Sequence, residues 1–339
     1  MKMKPFLENH PHLNYIQRCI RHLRDDGFIT EVLDIGKNPL KIEIERLGKK
    51  NPGRLLYIAQ TMGCDGFFAE LRFILHELFF CDTLGLTPVV VMPSASCYCE
   101  KEPVNGTTNP FEYYFEPVSN ISPEDARQSS AVVKHNYYQR MYIHQIYRMT
   151  SGYLPTDDYL TRMAELTQKY IHLNHIVKPL ITGAVQEMIA GRRTLGVHVR
   201  GADFKRHYIN HPNMVTVEEY ISQVEDTLKH HPFEQIFLAT DDADATVAFR
   251  DRFGDMVLCY DDVIRTSGDE TVMRSRDARA NHHYLLGLEV IRDMYTLAAC
   301  DGIIAGLSNV SLFSNIVKRS QGAAFAVQTY INKGIKRAK

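Results

Sequence analysis

One short stretch combines residue types that are suited to binding a charged ligand. Residues 196–203 read Gly-Val-His-Val-Arg-Gly-Ala-Asp. The alternating, β-rich segment 194–199 predicts a strand, and the glycine after the arginine ends it. His198, Arg200 and Asp203 are therefore expected at or just beyond the C-terminal end of a strand, which is where ligands bind in open α/β sheets.

Arg200 is suited to holding a diphosphate, because its planar guanidinium presents a fork of N–H donors that can grip a phosphate with two bonds. An interdomain salt bridge is the alternative role for this arginine. His198 could read the edge of a nucleotide base, or it could be a histidine satisfied inside the core. Asp203 could assist catalysis, or it could only brace the turn beneath Arg200.

Two acidic residues follow the next predicted strand, at 236–240. Asp241 and Asp242 could accept hydrogen bonds from ribose hydroxyls. One of the two could instead cap the helix that is predicted at 243–253, since aspartate is a preferred residue at that position.

A third predicted strand, at 302–305, runs into the start of a helix. Free N–H groups and the helix macrodipole favour an anion at such a place. We expect Arg200 to share a phosphate with the amides of three residues at this helix start: Ser308, Asn309 and Val310. The three strand ends are therefore expected to converge on one site.

The first half of the chain contains a strand, a glycine loop and a helix, which is the opening of a Rossmann-like unit. The strand is predicted at 55–59 and the helix at 67–84, with another buried strand at 87–92. Gly63 and Gly66, in the loop between the first strand and the helix, could approach a nucleotide sugar or could serve only the tight turn.

The length of 339 residues and the apolar fraction of 45% are enough for two domains with separate cores. A helical pattern over 161–189, which Pro179 should kink or split, ends the first half. We therefore expect an α/β protein with two doubly wound domains, at residues 1–190 and 191–339.

The charge balance and the cysteines narrow the class of protein. The chain has 39 Lys and Arg against 40 Asp and Glu, so no net charge draws its surface towards nucleic acid. No apolar run is long enough to span a membrane. Seven cysteines, several in apolar segments, are typical of reduced thiols in a cytoplasmic protein. Cys97 and Cys99 lack a second pair at metal-ligand spacing, so no metal site is expected.

Three blocks together resemble a known family: Gly-Val-His-Val-Arg-Gly-Ala-Asp at 196–203, Leu-Ala-Thr-Asp-Asp at 238–242, and the segment 293–311. They are similar to the motif blocks of the GDP-fucose-dependent fucosyltransferase superfamily, above all its α1,6-fucosyltransferase and nodulation fucosyltransferase branch. The resemblance covers roughly residues 195–315, and more weakly 55–84. The order and spacing of the three blocks, rather than any one of them, make it specific.

This resemblance implies a GT-B fold, in which two Rossmann-like domains face a cleft and the C-terminal one binds the nucleotide sugar. It also implies an inverting enzyme that needs no metal or other cofactor, with GDP-fucose as donor and a glycan or other hydroxyl as acceptor. In this family pattern, Arg200 would hold the β-phosphate, His198 would contact the nucleotide, and Asp293 would receive the guanine N–H groups. Ser308 would lie at the β-phosphate, and Asp241 with Asp242 near the nucleotide.

The sequence departs from the family pattern at three places, one of which is Leu307-Ser308-Asn309, in place of a run richer in serine. Gly201 stands where the α1,6 branch usually has a second arginine. The residues that follow the first block, at 204–208, supply no carboxylate to act as a base. His207 and Asp203 are the local candidates for that role, and Asp65 or Glu70 in the first half could also reach the cleft.

Two other functions stay open from the sequence. A different nucleotide sugar could be the donor of the same kind of enzyme. The missing carboxylate would also suit a catalytically silent protein that binds a nucleotide sugar or a glycan. An aromatic segment at 111–115 could stack on sugar or fill the core.

Overall fold

The structure of the chain is a computed structural model, and it describes residues 43–63, 65–134, 150–151, 154–201, 211–267, 272 and 279–336. These residues form a mixed α/β fold with two larger sheets, in each of which the central strands are parallel. The mixed α/β class expected from the sequence is confirmed.

The first sheet is built around the predicted strand, loop and helix. Its strands are β1 (Ile44–Glu45), β2 (Leu56–Gln60), β3 (Thr87–Val91) and β4 (Val132–Val133), in the order β1-β4-β2-β3. Helix α1 (Phe67–Leu84) connects β2 to the parallel β3. Its bounds are those predicted, and it ends at Gly85, which has the left-handed backbone (φ 65°) of a helix C-terminus. A short helix, α2 (Pro123–Ala126), follows, with Ser122 as its cap.

Two helices lie between the sheets in sequence, after a small two-stranded pair of β5 (Thr150–Ser151) and β6 (Leu154–Pro155). They are α3 (Asp157–Tyr170) and α4 (Val177–Ile189). The predicted split is therefore present, but it lies before Pro179. This proline occupies the first turn of α4, where its missing N–H would have no acceptor in any case.

The second sheet contains five strands in the order β11-β10-β7-β8-β9, all parallel. They are β7 (Thr194–Val199), β8 (Gln235–Thr240), β9 (Val257–Leu258), β10 (Gly302–Gly306) and β11 (Val327–Ile331). The intervening helices are α5 (Val217–His230), α6 (Ala243–Phe253), α7 (His282–Ala299) and α8 (Asn309–Ser320), with a 3₁₀ turn at Gly254–Met256. The alternation of strands and helices was predicted from the sequence, whereas β11 was not.

The largest hydrophobic core runs across both halves of the chain. It joins residues of β2 and α1 to residues of α7 and α8, and Phe68 of α1 contacts Phe313 of α8 with ring centroids 5.0 Å apart. Helix α4, although it precedes residue 191, packs on the second sheet through a separate cluster around Phe237. The packing thus links the two sheets through the helices between them.

The aromatic segment at 111–115 belongs to this core. Phe111, Tyr113, Tyr114 and Phe115 are all buried. Core filling, rather than stacking on a sugar, is therefore the role that the structure gives these rings.

Candidate functional site

Three strand ends meet at one edge of the second sheet, as the sequence predicted. Strand β7 lies between β10 and β8, with His198 opposite Ala305 on one side and Val199 opposite Thr240 on the other. Because all three strands run the same way, the segments that follow them leave the sheet at the same edge. The histidine and arginine of the first block are thereby placed between the two other blocks.

His198 and Ser308 make the direct contact between the first and third blocks. The imidazole Nδ1 lies 3.2 Å from the Ser308 hydroxyl, and His198 is only 8% exposed. Ser308 is the cap of α8, since its hydroxyl accepts a hydrogen bond from the amide of Ser311 at 3.1 Å. His198 is therefore a buried histidine with a hydrogen-bond partner, and its contact with a nucleotide base stays a prediction.

The first turn of α8 leaves amide donors for a ligand. The amides of Asn309 and Val310 have no acceptor within the helix, because the first intrahelical bond is donated by Leu312 to the carbonyl of Ser308. Ser311 is buried, and its hydroxyl donates to the carbonyl of Gly306 at 3.0 Å, so it supports the turn. The N-terminus of α8 can thus present N–H groups and a positive helix end to an anion.

Arg200 is half-buried at the end of β7 and lines a small cleft that also contains Tyr220 and Leu307. Burial raises the pKa of the phenol of Tyr98, and the charge of Arg200 lowers it in turn. Tyr98 lies in the first half of the chain, where its hydroxyl accepts a 2.7 Å hydrogen bond from the amide of Phe67, at the start of α1. Arg200 therefore lies close to the beginning of α1 as well as to the second sheet.

Tyr220 is a site-supporting residue that the sequence analysis did not identify. It is buried, and its hydroxyl lies at the backbone amides of Arg200 and Gly306, the ends of β7 and β10. Burial raises its pKa to about 12. A side chain on Gly306 would clash with this hydroxyl, so the glycine is required there. The helical spacing of Tyr220 from the apolar positions 217 and 224 of α5 was the available signal.

The two neighbouring acidic residues, Asp241 and Asp242, have different roles. Asp242 is buried and caps α6, because its Oδ1 accepts hydrogen bonds from the amides of Asp244 (2.9 Å) and Ala245 (3.4 Å). The capping alternative therefore applies to Asp242. Asp241 packs against Gly201, and a Cβ on that glycine would overlap the carboxylate of Asp241. Position 201 thus lies in close contact with the carboxylate of Asp241.

Asp293, on α7, has a carboxylate that its surroundings disfavour in the charged form. Burial raises its pKa to about 7, although the nearby Arg292 and Arg265 lower it. Arg292 is itself committed elsewhere, since it pairs with Asp262 and stacks on Tyr260 at 3.9 Å from the ring centroid. Within the described ranges the carboxylate of Asp293 makes no hydrogen bond. Asp293 is half-buried, and its oxygens can accept from a ligand.

The glycine loop in the first half of the chain contains a tight turn at Gly63. Gly63 has a left-handed backbone (φ 76°), and a Cβ there would come within 2.7 Å of Pro93. Gly66 precedes the first residue of α1 and occupies its cap position. Gly63 thus serves the tight turn, the alternative that the sequence analysis left open.

Of the two acidic residues near this loop, only Asp65 is exposed. Glu70 is 2% exposed, accepts a 2.8 Å hydrogen bond from the Thr61 hydroxyl, and has its pKa raised by burial. Glu70 therefore supports the glycine loop from the core side. Its carboxylate is too buried to contact an acceptor substrate in this arrangement. Asp203 and His207 lie outside the described residues.

Two further properties concern the described part of the chain. It contains no group of three or more His, Cys, Asp or Glu side chains placed to hold a metal ion. None of its helices has the length and apolar character needed to cross a bilayer.

Comparison with known proteins gives fold-level similarities to solved fucosyltransferases. No family model and no curated protein sequence matches the chain. It is similar to the crystal structure of NodZ α1,6-fucosyltransferase soaked with GDP-fucose, with 17% identity over 78% of this chain and 92% of that one, and a TM-score of 0.47. A second NodZ crystal structure, of the fucosyltransferase from Bradyrhizobium, has the same identity and coverage and a TM-score of 0.48.

A third similar structure is that of POFUT1 in complex with GDP-fucose, with 13% identity over 83% of this chain and 99% of that one, and a TM-score of 0.45. The order of the blocks and the contacts of the site residues, rather than these similarities, carry the proposal that follows.

Proposed function

We propose that the chain is a glycosyltransferase that transfers fucose from GDP-fucose to a hydroxyl group of an acceptor such as a glycan. The observation that carries this proposal is the 3.2 Å contact between His198 and Ser308, because it joins the arginine-bearing end of β7 to the N-terminus of α8. A diphosphate at this junction would meet a guanidinium and free helix amides together. The motif order resembling GDP-fucose enzymes supports the choice of donor.

The reaction follows from where charge develops. The acceptor oxygen forms a bond to C1 of fucose on the face opposite the diphosphate, so the configuration at C1 inverts. The bond from C1 to the β-phosphate oxygen breaks, and its electron pair stays on that oxygen. Arg200 and the amides of Asn309 and Val310 would stabilise the growing negative charge of GDP. We propose that this arrangement makes the transfer independent of a metal ion or other cofactor.

Asp293 suits the guanine end of the donor. Guanine offers two neighbouring donors, its N1–H and its 2-amino group, and a carboxylate accepts both. Asp293 supplies such a carboxylate without a competing hydrogen bond in the described part of the chain. His198, Asp241 and Asp242 are proposed to lie near the nucleotide, with Asp242 acting through the helix it caps.

During the transfer, another group has to accept the proton of the acceptor hydroxyl. Asp65 is the exposed carboxylate of the glycine loop, and His207 and Asp203 are the candidates from the first block. In a transition state with strong oxocarbenium character the nucleophile is activated late, so a base contributes little. The proposal therefore does not depend on which of the three accepts the proton.

The domain organisation proposed with this function is that of the GT-B enzymes. Residues 1–190 would form the acceptor-side domain and residues 191–339 the nucleotide-sugar domain, facing each other across a cleft. Glycines 63 and 66 would lie at the cleft edge of the first domain. A cytoplasmic location is proposed from the cysteine usage alone.

The test is a nucleotide-release assay over a panel of GDP-, UDP- and ADP-linked sugars, first with the unchanged chain and then with Arg200→Ala. We expect release of GDP from GDP-fucose, and a loss of about 10²- to 10³-fold in the variant, as when one charge-stabilising donor is removed from an active site. Arg162→Ala is a matched control, because Arg162 pairs with Asp82 away from this junction. Full activity in a folded Arg200→Ala variant would contradict the proposal.

A catalytically silent binding protein is the second candidate. The absence of a carboxylate at 204–208 and the burial of Glu70 favour it. Calorimetric titration separates the two functions, because a silent protein would bind GDP-fucose without releasing GDP in any acceptor screen. Turnover of another nucleotide sugar in the same panel would keep the enzyme class and change the donor.

A further inference from the structure

The diphosphate of the proposed donor carries more negative charge than Arg200 and the N-terminus of α8 together offset. The leaving GDP carries several negative charges, whereas Arg200 provides one positive charge and a helix N-terminus about half of one. Gly201, where the resembling family usually has a second arginine, contributes no cation. Among the described residues, a cation on another element at the same edge would add to this charge.

Arg72 of α1 reaches that edge from the first half of the chain. Its Nη1 lies 3.4 Å from Oδ1 of Asn309, the first residue of α8 and the neighbour of Ser308. Packing of Phe68 on Phe313 holds this part of α1 against α8. The guanidinium of Arg72 is thus placed beside the turn whose amides are proposed to bind the phosphate.

A buried pair, Tyr159 and His76, fixes the orientation of the Arg72 guanidinium. Its Nε donates to the hydroxyl of Tyr159 at 3.2 Å, and that hydroxyl lies 2.9 Å from Nε2 of His76. Burial, together with the charge of Arg72, lowers the pKa of His76 to about 3. His76 is therefore neutral and can accept the proton of Tyr159, which leaves the tyrosine oxygen free to receive the bond from Arg72.

The bond from Arg72 to Asn309 is long, at the outer limit for an N–H···O hydrogen bond. A phosphate oxygen would be a stronger acceptor for the same N–H group than a neutral amide oxygen, because the bond would be assisted by charge on both sides. The Nε anchor on Tyr159 can persist while the outer nitrogens turn to the phosphate. The side chain of Asn309 would then act as the resting partner of Arg72.

We propose that Arg72 binds the β-phosphate of the donor and replaces, from α1, the second arginine that position 201 lacks. This proposal rests on the proposed function, since it assigns a residue to the same diphosphate. On this proposal, residues of both α1 and α8 form the diphosphate site.

The test compares guanosine, GMP and GDP by calorimetric titration, because only GDP has a β-phosphate. In Arg72→Ala we expect the dissociation constant of GDP to rise about 10- to 100-fold, as for the loss of a charge-assisted pair, while those of guanosine and GMP stay within about twofold. Arg72→Lys should restore part of the loss, because it keeps the charge without the fork.

Arg162→Ala is the matched control, because it removes an arginine that pairs with Asp82, about 15 Å further along α1. If Arg72→Ala weakens all three ligands equally, or leaves GDP binding unchanged, Arg72 is a packing residue and the inference is wrong. If Arg72→Ala does not fold, Arg72→Lys and Arg72→Gln provide the same comparison. If the unchanged chain does not prefer GDP to GMP, the proposed function fails instead.

Discussion

Asp293 holds a carboxylate where the surrounding protein disfavours its charge. Its pKa is raised to about 7, chiefly by burial, and therefore lies above that of an aspartate in the unfolded chain. Between pH 4 and 7 the folded chain binds a proton there that the unfolded chain has lost. The contribution of Asp293 to the free energy of unfolding consequently falls as the pH rises through this window.

We predict that Asp293→Asn stabilises the ligand-free chain at pH 8, because it removes a desolvated charge, and that it weakens GDP binding, because it removes the acceptor of two guanine N–H groups. Thermal unfolding and titration with GDP measure the two effects. Asp262→Asn is the control with the opposite sign, since Arg292 lowers the pKa of Asp262 and the pair is favourable when charged. A destabilised Asp293→Asn would contradict this account of the buried charge.

The same residue predicts the pH dependence of donor binding. Below pH 7 the free carboxylate is protonated, and guanine has to displace the proton before it binds. We expect the dissociation constant of GDP to rise towards tenfold per pH unit as the pH falls from 7 to 5. In Asp293→Asn this slope should disappear, and its persistence there would assign the titration to another group.

At the scale of elements, the site depends on how the strand ends are held. Tyr220 receives the amides at the ends of β7 and β10, so one side chain fixes the distance between Arg200 and the start of α8. Tyr220 thus contacts the backbone of the two strand ends and supports them, rather than binding the ligand. Its role should therefore appear in the rate of transfer rather than in recognition of the base.

We predict that Tyr220→Phe lowers kcat about tenfold and the free energy of unfolding by about 1–3 kcal/mol, because two buried amides lose their acceptor. The affinity for guanosine should not change. Tyr170→Phe serves as the control, since it removes a hydroxyl that donates to Asp82, away from these strand ends. An unchanged kcat in Tyr220→Phe would show that the strand ends are positioned without it.

The order of elements was predictable because each has a local signal. The capped start at Thr216, the predicted strand 236–240 and the helix 243–253 all appear in the structure. Strand β11 was missed, because its residues are half-exposed and polar residues alternate weakly within it. The contact between Arg72 and Asn309 was also missed, since residues 237 positions apart leave no local pattern.

For several residues the sequence allowed two alternative roles and could not decide between them. Asp242 is the cap and Asp241 packs against Gly201, a division that depends on the path of the chain after β8. Whether the aromatic segment faced sugar or core likewise depended on tertiary packing. Burial is a property of the folded chain, and the residue types alone allowed both outcomes.

At the scale of the whole molecule, helix α7 packs both in the core shared with α1 and in a cluster of the second sheet, so we expect the two sheets to unfold together. We predict a single calorimetric unfolding transition that GDP shifts upwards as a whole. Phe313→Ala should lower that one transition, at a cost of about 3–5 kcal/mol, because Phe313 is buried in the shared core. Two transitions, only one of which responds to GDP, would show that the sheets are independent.

The close approach of Gly287 to Tyr114 has a consequence for how this sequence can diverge. Tyr114 donates to the carbonyl of Tyr284 and stacks on its ring, and a side chain at position 287 would overlap the Tyr114 hydroxyl. A larger residue at 287 is therefore accessible only after position 114 has become smaller. The two positions, 173 residues apart in sequence, form a pair whose substitutions have an obligatory order, and descendants of this chain should retain Gly287 wherever they retain Tyr114.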